Sequence, residues 1–286
     1  IPDPLWSRGL GDVYKRQASH ISMRFGLHGP THTYSIACAS STVAIGEAFR
    51  AIRDGYLDTA LSGGAEAMLN DGSIAAWERL GVLASSHTDG PEASSRPFDL
   101  ERTGFVLGEG AALLVLEAES ALQERAVDPI AEIIGYGVSS DAFSLTEPHA
   151  AGQEAAMRSA ITDADIEREE VQYVNAHATG TPSGDPIEIE AIKSIFEDHA
   201  SNLAVSSTKS VHGHLVGASG ALETAISAIA LQKGRIPPTA NLTHPDPSCD
   251  LDCVPEYGRE APELTVAISN SFAFGGSNAT LVLRKV

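Results

Sequence analysis

From position 18 onward, short apolar runs alternate with stretches whose apolar residues recur at helical spacing. This pattern predicts strands over 33–37, 60–67, 130–138, 173–176, 203–207, 265–269 and 280–283, the last two joined by a loop over 272–278. It predicts helices over 39–50, 119–125, 153–163, 185–197 and 217–232. The glycine-spaced apolar run 104–117 reads as one or two buried strands with a close backbone approach. Within 153–163, Ala156, Met157, Ala160 and Ile161 share one face. The helix from 185 is opened by Gly184-Asp185-Pro186, with proline in the first turn where its missing N–H costs nothing. The stretch 217–232 is too apolar for a surface helix, so it is expected between two sheets. Strands alternating with helices imply an α/β layered fold, with function in loops at strand ends.

Residues 1–17 have no such period, and they lack the charged, apolar and cleavage regions of a signal peptide. They read as a foreign or mis-joined segment. The 286 residues suffice for one large or two ordinary domains, and 43% hydrophobic with 20% charged residues is globular composition. The net charge of −19, without a Lys/Arg cluster, argues against a nucleic-acid partner. No apolar run approaches the roughly 20 residues of a membrane span. Three scattered cysteines, Cys38, Cys249 and Cys253, suggest a reducing compartment rather than a disulfide framework. Cys249 and Cys253 lack a second pair or a suitably spaced histidine, so no metal site is expected there.

Cys38 carries the chemistry. It falls at a strand-to-helix junction flanked by small residues, Ala37 and Ala39-Ser40-Ser41. The first free N–H groups and the positive end of the helix would favour a thiolate and could hold a developing oxyanion. The alternative is a buried cysteine acting as a small hydrophobe. His177, in Asn175-Ala176-His177-Ala178-Thr179-Gly180-Thr181, and His214, in Lys209-Ser210-Val211-His212-Gly213-His214, occupy two further strand-end loops. One thiolate and two imidazoles suggest acyl chemistry on a thioester.

Taken together with Gly63-Gly64-Ala65-Glu66, Ser95-Arg96-Pro97-Phe98-Asp99, the run 104–110, Gly184-Asp185-Pro186-Ile187-Glu188 and Asn270–Asn278, these segments resemble the β-ketoacyl-acyl carrier protein synthases of the thiolase-like superfamily. The resemblance implies a layered α/β/α/β/α fold of two pseudo-repeated halves, the first incomplete. The halves would cover 18–125, with the nucleophile, and 126–286. Roughly 140 residues of a family chain of about 400 would precede position 18. Left without those sheet neighbours, the segment alone is expected to be poorly soluble and inactive.

The resemblance also implies roles. Cys38 would accept the acyl group, and His177 and His214 would drive malonyl decarboxylation. Lys209 would help position the histidines, with Glu188 as its carboxylate partner. Phe274 would gate the cysteine and lend its N–H to the oxyanion hole. Asp185 would support the site or cap its helix, Glu109 and Glu223 would serve buried polar networks with a catalytic role as the second reading, and His212 would be structural. The two-histidine pattern places the chain with the elongating, decarboxylating branch. Neutral imidazoles are needed there, because an imidazolium would protonate the carbanion, and a nearby lysine disfavours that cation.

The implied reaction is a decarboxylative condensation of an acyl thioester on Cys38 with malonyl-acyl carrier protein, adding two carbons in fatty-acid or polyketide synthesis. The alternatives are a non-catalytic subunit of the chain-length-factor type and an inactive truncated fragment. The resemblance implies no built-in cofactor, since the phosphopantetheine arm arrives on the acyl carrier protein. It implies a homodimer or a closely related heterodimer, and the cysteine usage is that of a cytoplasmic protein.

Overall fold

The structure, a computed structural model, describes residues 10–286. The chain forms two units divided between Ser35 and Ile36. In the first, helix α1 (Leu10–Phe25) closes with the Leu27 N–H on the Ser22 carbonyl and the Ser22 hydroxyl on the Leu27 carbonyl. Of the segment set apart at 1–17, residues 1–9 lie outside the described residues. Residues 10–17 open α1.

The second unit opens with a single 3₁₀ turn (Ala37–Ala39) that runs into α2 (Ser40–Arg53). There follow β1 (Thr59–Glu66), α3 (Asp71–Arg79), β2 (Gly110–Glu117), α4 (Glu119–Arg125) and β3 (Glu132–Ser140). Next come α5 (Ala150–Asp163), β4 (Tyr173–Asn175), α6 (Gly184–Phe196), β5 (Ala204–Ser206) and α7 (Lys209–His212). The chain ends with α8 (Ser219–Lys233), the short β6 (Arg235–Ile236) and β7 (Arg259–Glu260), and the hairpin of β8 (Val266–Ala273) and β9 (Ser277–Arg284).

The five-stranded sheet has the order β3-β9-β8-β4-β5. Its β3, β9 and β8 are antiparallel neighbours, while β8, β4 and β5 run parallel. The parallel strands send their C-terminal ends to one edge, and the loops carrying His177 and Lys209 start there. One face of the sheet is covered by α5 and α6. As the spacing predicts, Ala156, Met157, Ala160 and Ile161 are buried, in a core shared with Ile189, Ile192, Phe196, Val174, Ile268 and Val282. The other face carries α2 and α8, and β1 and β2 lie beyond these helices as a separate antiparallel pair. Helix α8 is therefore sandwiched between sheets, as its apolar sequence requires. Ordered as sheet pair, helix pair, five-stranded sheet, helix pair, these layers match the expected α/β layering. The division expected at 125/126 falls between α4 and β3, inside this unit.

Two expectations need correction. No strand forms over 33–37 among the described residues. An apolar alternation supplies only an extended preference, and a ladder needs a neighbour to take its N–H and C=O groups. The run 104–117 forms one strand, β2, and it is not buried: Leu113 is 50% and Val115 62% exposed. An apolar run reports hydrophobicity but not what covers it, and among the described residues only the inner face of this pair is packed by helices. The β8–β9 hairpin is also tighter than expected, turning at Phe274-Gly275-Gly276 with both glycines at positive φ.

Candidate active site

Helices α2 and α8 can approach closely because small residues face each other. Ala221 donates its N–H to the Ser41 hydroxyl at 2.9 Å, and Thr42 Oγ1 bonds Ser271 Oγ of β8 at 2.7 Å. A Cβ on Gly220 would stand 1.9 Å from Thr42 Oγ1, so only glycine fits at that crossing. At the start of α2 the chain turns sharply through Ala37, whose φ of 43° is left-handed. Such a conformation costs an L-residue on the order of 1–2 kcal/mol. Ser40 holds the turn: its hydroxyl accepts the Ile36 N–H at 2.8 Å and donates to the Ala37 carbonyl at 2.7 Å. The result sets Cys38 on a buried ledge, 5% exposed, with its sulfur toward β8 and the His214 loop.

Cys38 Sγ lies 3.0 Å from His214 Nε2. The His177 and His214 rings meet edge to face with centroids 5.4 Å apart. The backbone N–H groups of Cys38 itself and of Phe274 favour the sulfur's anionic form. All these residues line one cleft of about 190 Å³, whose wall also includes Trp77, Phe105, Thr179 and Thr181. Phe105 packs edge-on against His214 at 5.3 Å, and Trp77 sits tilted beside Phe274 at 6.3 Å. Three loops far apart in the chain, which the sequence singled out separately, thus converge.

The charges around the sulfur are arranged differently from the expectation. Burial pushes the Cys38 thiol up to about 12, outweighing the pull of Lys209 and of the Phe274 N–H. The resting sulfur is therefore a thiol, not the thiolate expected from its position before a helix. A helix end contributes partial charges, whereas full burial removes the hydration that a sulfur anion needs. Burial also drives His177 and His214 well below the ordinary imidazole range, and the Lys209 cation adds to both shifts. Both rings are neutral at physiological pH.

Lys209 is 1% exposed and its Nζ is ion-paired with Glu223, which is itself fully buried. The carboxylate partner is thus Glu223 of α8, and the expected pairing with Glu188 is not formed. Glu188 instead accepts the backbone N–H groups of His177 at 2.9 Å and Ala178 at 2.7 Å, together with Asn270 Nδ2 at 3.1 Å. It shapes the histidine loop by collecting donors that would otherwise be orphaned. Asp185 does the same one turn earlier, accepting from Phe98 at 2.9 Å and Gly180 at 3.1 Å, with Arg102 at 3.7 Å. Burial raises Asp185 to about 6 and Glu188 and Glu223 to about 7. Glu109, expected in a buried network, is exposed and takes the Leu69 N–H.

Sequence reasoning missed Ser219. Its Oγ lies 2.9 Å from His214 Nδ1 and accepts the Leu215 N–H at 2.9 Å. A hydroxyl can donate to Nδ1 or accept from it, so Ser219 supports either neutral tautomer of His214. The signal was a hydroxyl at the start of the apolar helix, five residues after the histidine. His212, read as structural, has both nitrogens occupied, by the Gly213 carbonyl at 2.7 Å and Thr208 Oγ1 at 3.0 Å. Cys249 and Cys253 are buried free thiols away from the cleft.

Models of the β-ketoacyl synthase N-terminal and C-terminal domains match residues 5–121 and 130–243. Nodulation protein E of Rhizobium sp. (strain N33) is 45% identical over 282 residues, covering 97% of this chain and 68% of that protein. The 3-oxoacyl-[acyl-carrier-protein] synthase 2 of Coxiella burnetii (strain RSA 493 / Nine Mile phase I) is 44% identical over 278 residues, covering 96% and 67%. Among solved structures, a type II PKS ketosynthase in complex with its acyl-carrier protein superposes with a TM-score of 0.92 at 33% identity, covering 94% of this chain and 66% of the other. The chain thus spans about two thirds of the length of the proteins it matches.

Proposed function

Because the chain belongs to the β-ketoacyl synthase family, we propose that it performs the decarboxylative Claisen condensation of that family, with Cys38, His177, His214 and Lys209 as its working residues. The observation that carries the reading is the pair of neutral rings at the cysteine, one of them 3.0 Å from the sulfur.

An acyl thioester enters on the arm of an acyl carrier protein. The Cys38 thiol gives its proton to His214 Nε2 and the sulfur attacks the acyl carbon. The N–H groups of Cys38 and Phe274 receive the developing oxyanion. The bond from the acyl carbon to the arm's sulfur breaks, and that sulfur takes the proton from His214. An imidazolium is disfavoured here by burial and by Lys209, so the proton does not stay.

Malonyl thioester follows on a second carrier. Its carbon–carboxylate bond breaks, carbon dioxide leaves, and the electron pair enters an enolate whose oxygen accepts N–H bonds from His177 and from His214, the latter shifted to its Nε2–H tautomer with the Ser219 hydroxyl donating to Nδ1. The enolate carbon attacks the acyl carbon on Cys38, the carbon–sulfur bond breaks, and the sulfur takes one proton from solvent. The product is a β-ketoacyl chain two carbons longer, still on its carrier. Glu188 holds the His177 loop and Glu223 holds Lys209 in place. The chain needs no metal or organic group for these steps.

A carrier protein as partner, a second copy of the chain as a homodimer, and a cytoplasmic setting complete the reading. Among the described residues no helix is long and apolar enough to cross a membrane. The test is intact-mass analysis, after incubation with an acyl-carrier thioester, of this chain joined to the N-terminal portion of its relatives, since the segment alone is expected to be inactive. One acyl adduct is expected, absent in Cys38→Ala, while malonyl-carrier decarboxylation survives in that variant and fails in His177→Ala. An adduct on Cys249 or Cys253, or no adduct with native-like folding, overturns the assignment. The no-adduct outcome fits a non-catalytic partner subunit.

A further inference from the structure

We propose that Cys38, His177 and His214 together chelate a soft divalent cation of the Zn²⁺ class, and that this occupant closes the acyl-accepting site. One ligand atom from each lies within 4.8 Å of the other two. Tetrahedral zinc holds sulfur at about 2.3 Å and nitrogen at about 2.0–2.1 Å, which sets its ligands on the order of 3–4 Å apart. The trio is therefore within small side-chain movements of a three-ligand site, with the fourth position opening on the cleft.

The surroundings suit a cation. His214 can ligate through Nε2 with its proton on Nδ1, where Ser219 Oγ at 2.9 Å accepts it. An outer acceptor of this kind orients a ligating histidine. On binding, the Cys38 S–H bond breaks, a sulfur–metal bond forms and one proton leaves to solvent. The thiolate offsets one of the two positive charges. The adjacent Lys209 is already paired with Glu223, and Glu188 lies behind His177. Hard cations such as Mg²⁺ and Ca²⁺ prefer oxygen ligands and are not expected to compete. The other such cluster among the described residues, Asp99, Glu101 and His244, is less free. Asp99 already accepts from Arg96 and from the N–H groups of Glu101, Thr243 and His244.

Chelation rests on this geometry alone, whereas closure of the acyl site also rests on the proposed function. Metal-free protein is titrated with Cd²⁺ as the probe, reading the ultraviolet thiolate-to-metal band and proton release. One equivalent with one proton released is expected. The band should vanish in Cys38→Ala, and affinity should fall at least tenfold in His214→Ala and 10- to 100-fold in Ser219→Ala. Circular dichroism checks that each variant is folded. No band in the parent, a band that persists in Cys38→Ala, or one removed by Cys249→Ser or Cys253→Ser overturns the site. Equimolar Zn²⁺ should suppress the acyl adduct and a chelator restore it. An adduct formed undiminished at saturating Zn²⁺ overturns closure. Full Cd²⁺ binding with no adduct under any condition supports the chelate and counts against the condensation reading instead.

Discussion

Cys38 Sγ and His214 Nε2 stand 3.0 Å apart although 176 residues of chain separate them. The contact is made by two backbone devices, the left-handed turn at Ala37 and the loop from α7 into α8. It sets a thiol rather than a thiolate against a neutral base.

With the Cys38 thiol at about 12, iodoacetamide alkylation in the free protein should accelerate about tenfold per pH unit from 7 to beyond 9, with no plateau near neutrality. Lys209 pulls this value down, so Lys209→Met should slow alkylation further at each pH. A plateau below pH 8, read by mass spectrometry of the Cys38 peptide, would mean a preformed thiolate.

In the proposed reaction, replacing His177 or His214 with alanine removes one neutral N–H donor to the enolate. Malonyl-carrier decarboxylation should fall by roughly 10²–10³ for each. Both rings sit well below the ordinary imidazole range. The acid limb of decarboxylation should therefore lie below pH 6.5, since neutral rings persist until the pH reaches their lowered values.

Glu223→Ala leaves the Lys209 cation buried without its partner. A loss of about 3–5 kcal/mol is expected in urea unfolding. The double variant Lys209→Met, Glu223→Leu should lose less than that single change, although it should be catalytically dead. Equal losses would show that packing, not charge, dominates at this pair.

Glu188 is raised in the folded protein to about 7, above its ordinary value of 4.5. The folded state therefore holds a proton that the unfolded chain releases. The stability this adds is complete below pH 4.5 and is lost as the pH rises through 7. Glu188→Gln should flatten that fall in a series of melting curves, and an unchanged slope would assign the fall to other groups.

Gly220→Ala should cost about 1–3 kcal/mol by overpacking against Thr42. Because Thr42 lies four residues after Cys38, the strain should also widen the Cys38–His214 gap. Slower acyl-adduct formation at a temperature where the variant stays folded is the measurement.

Helices were the most legible part of the chain. The buried face of α5, the proline-led start of α6 and the all-round apolarity of α8 each follow from side-chain spacing within a dozen residues. Strand identity was less secure, because pairing is a property of two segments. The 33–37 run has the alternation but no ladder, and β2 has the hydrophobicity without the cover. The candidate site residues could be named from local patterns: Cys38 before a helix, and His177 and His214 in glycine- and threonine-rich loops.

The chain alone therefore determined which residues are the candidates for the chemistry and most of the helices that carry them, since both depend on neighbours in sequence. Only the tertiary structure decided who pairs with whom and in which charge state. Lys209 meets Glu223 rather than Glu188 because α8 passes behind the histidine loops while α6 lies beneath the His177 backbone. Cys38 is a thiol because desolvation, a sum over every atom packed around it, outweighs the helix end visible in the local sequence.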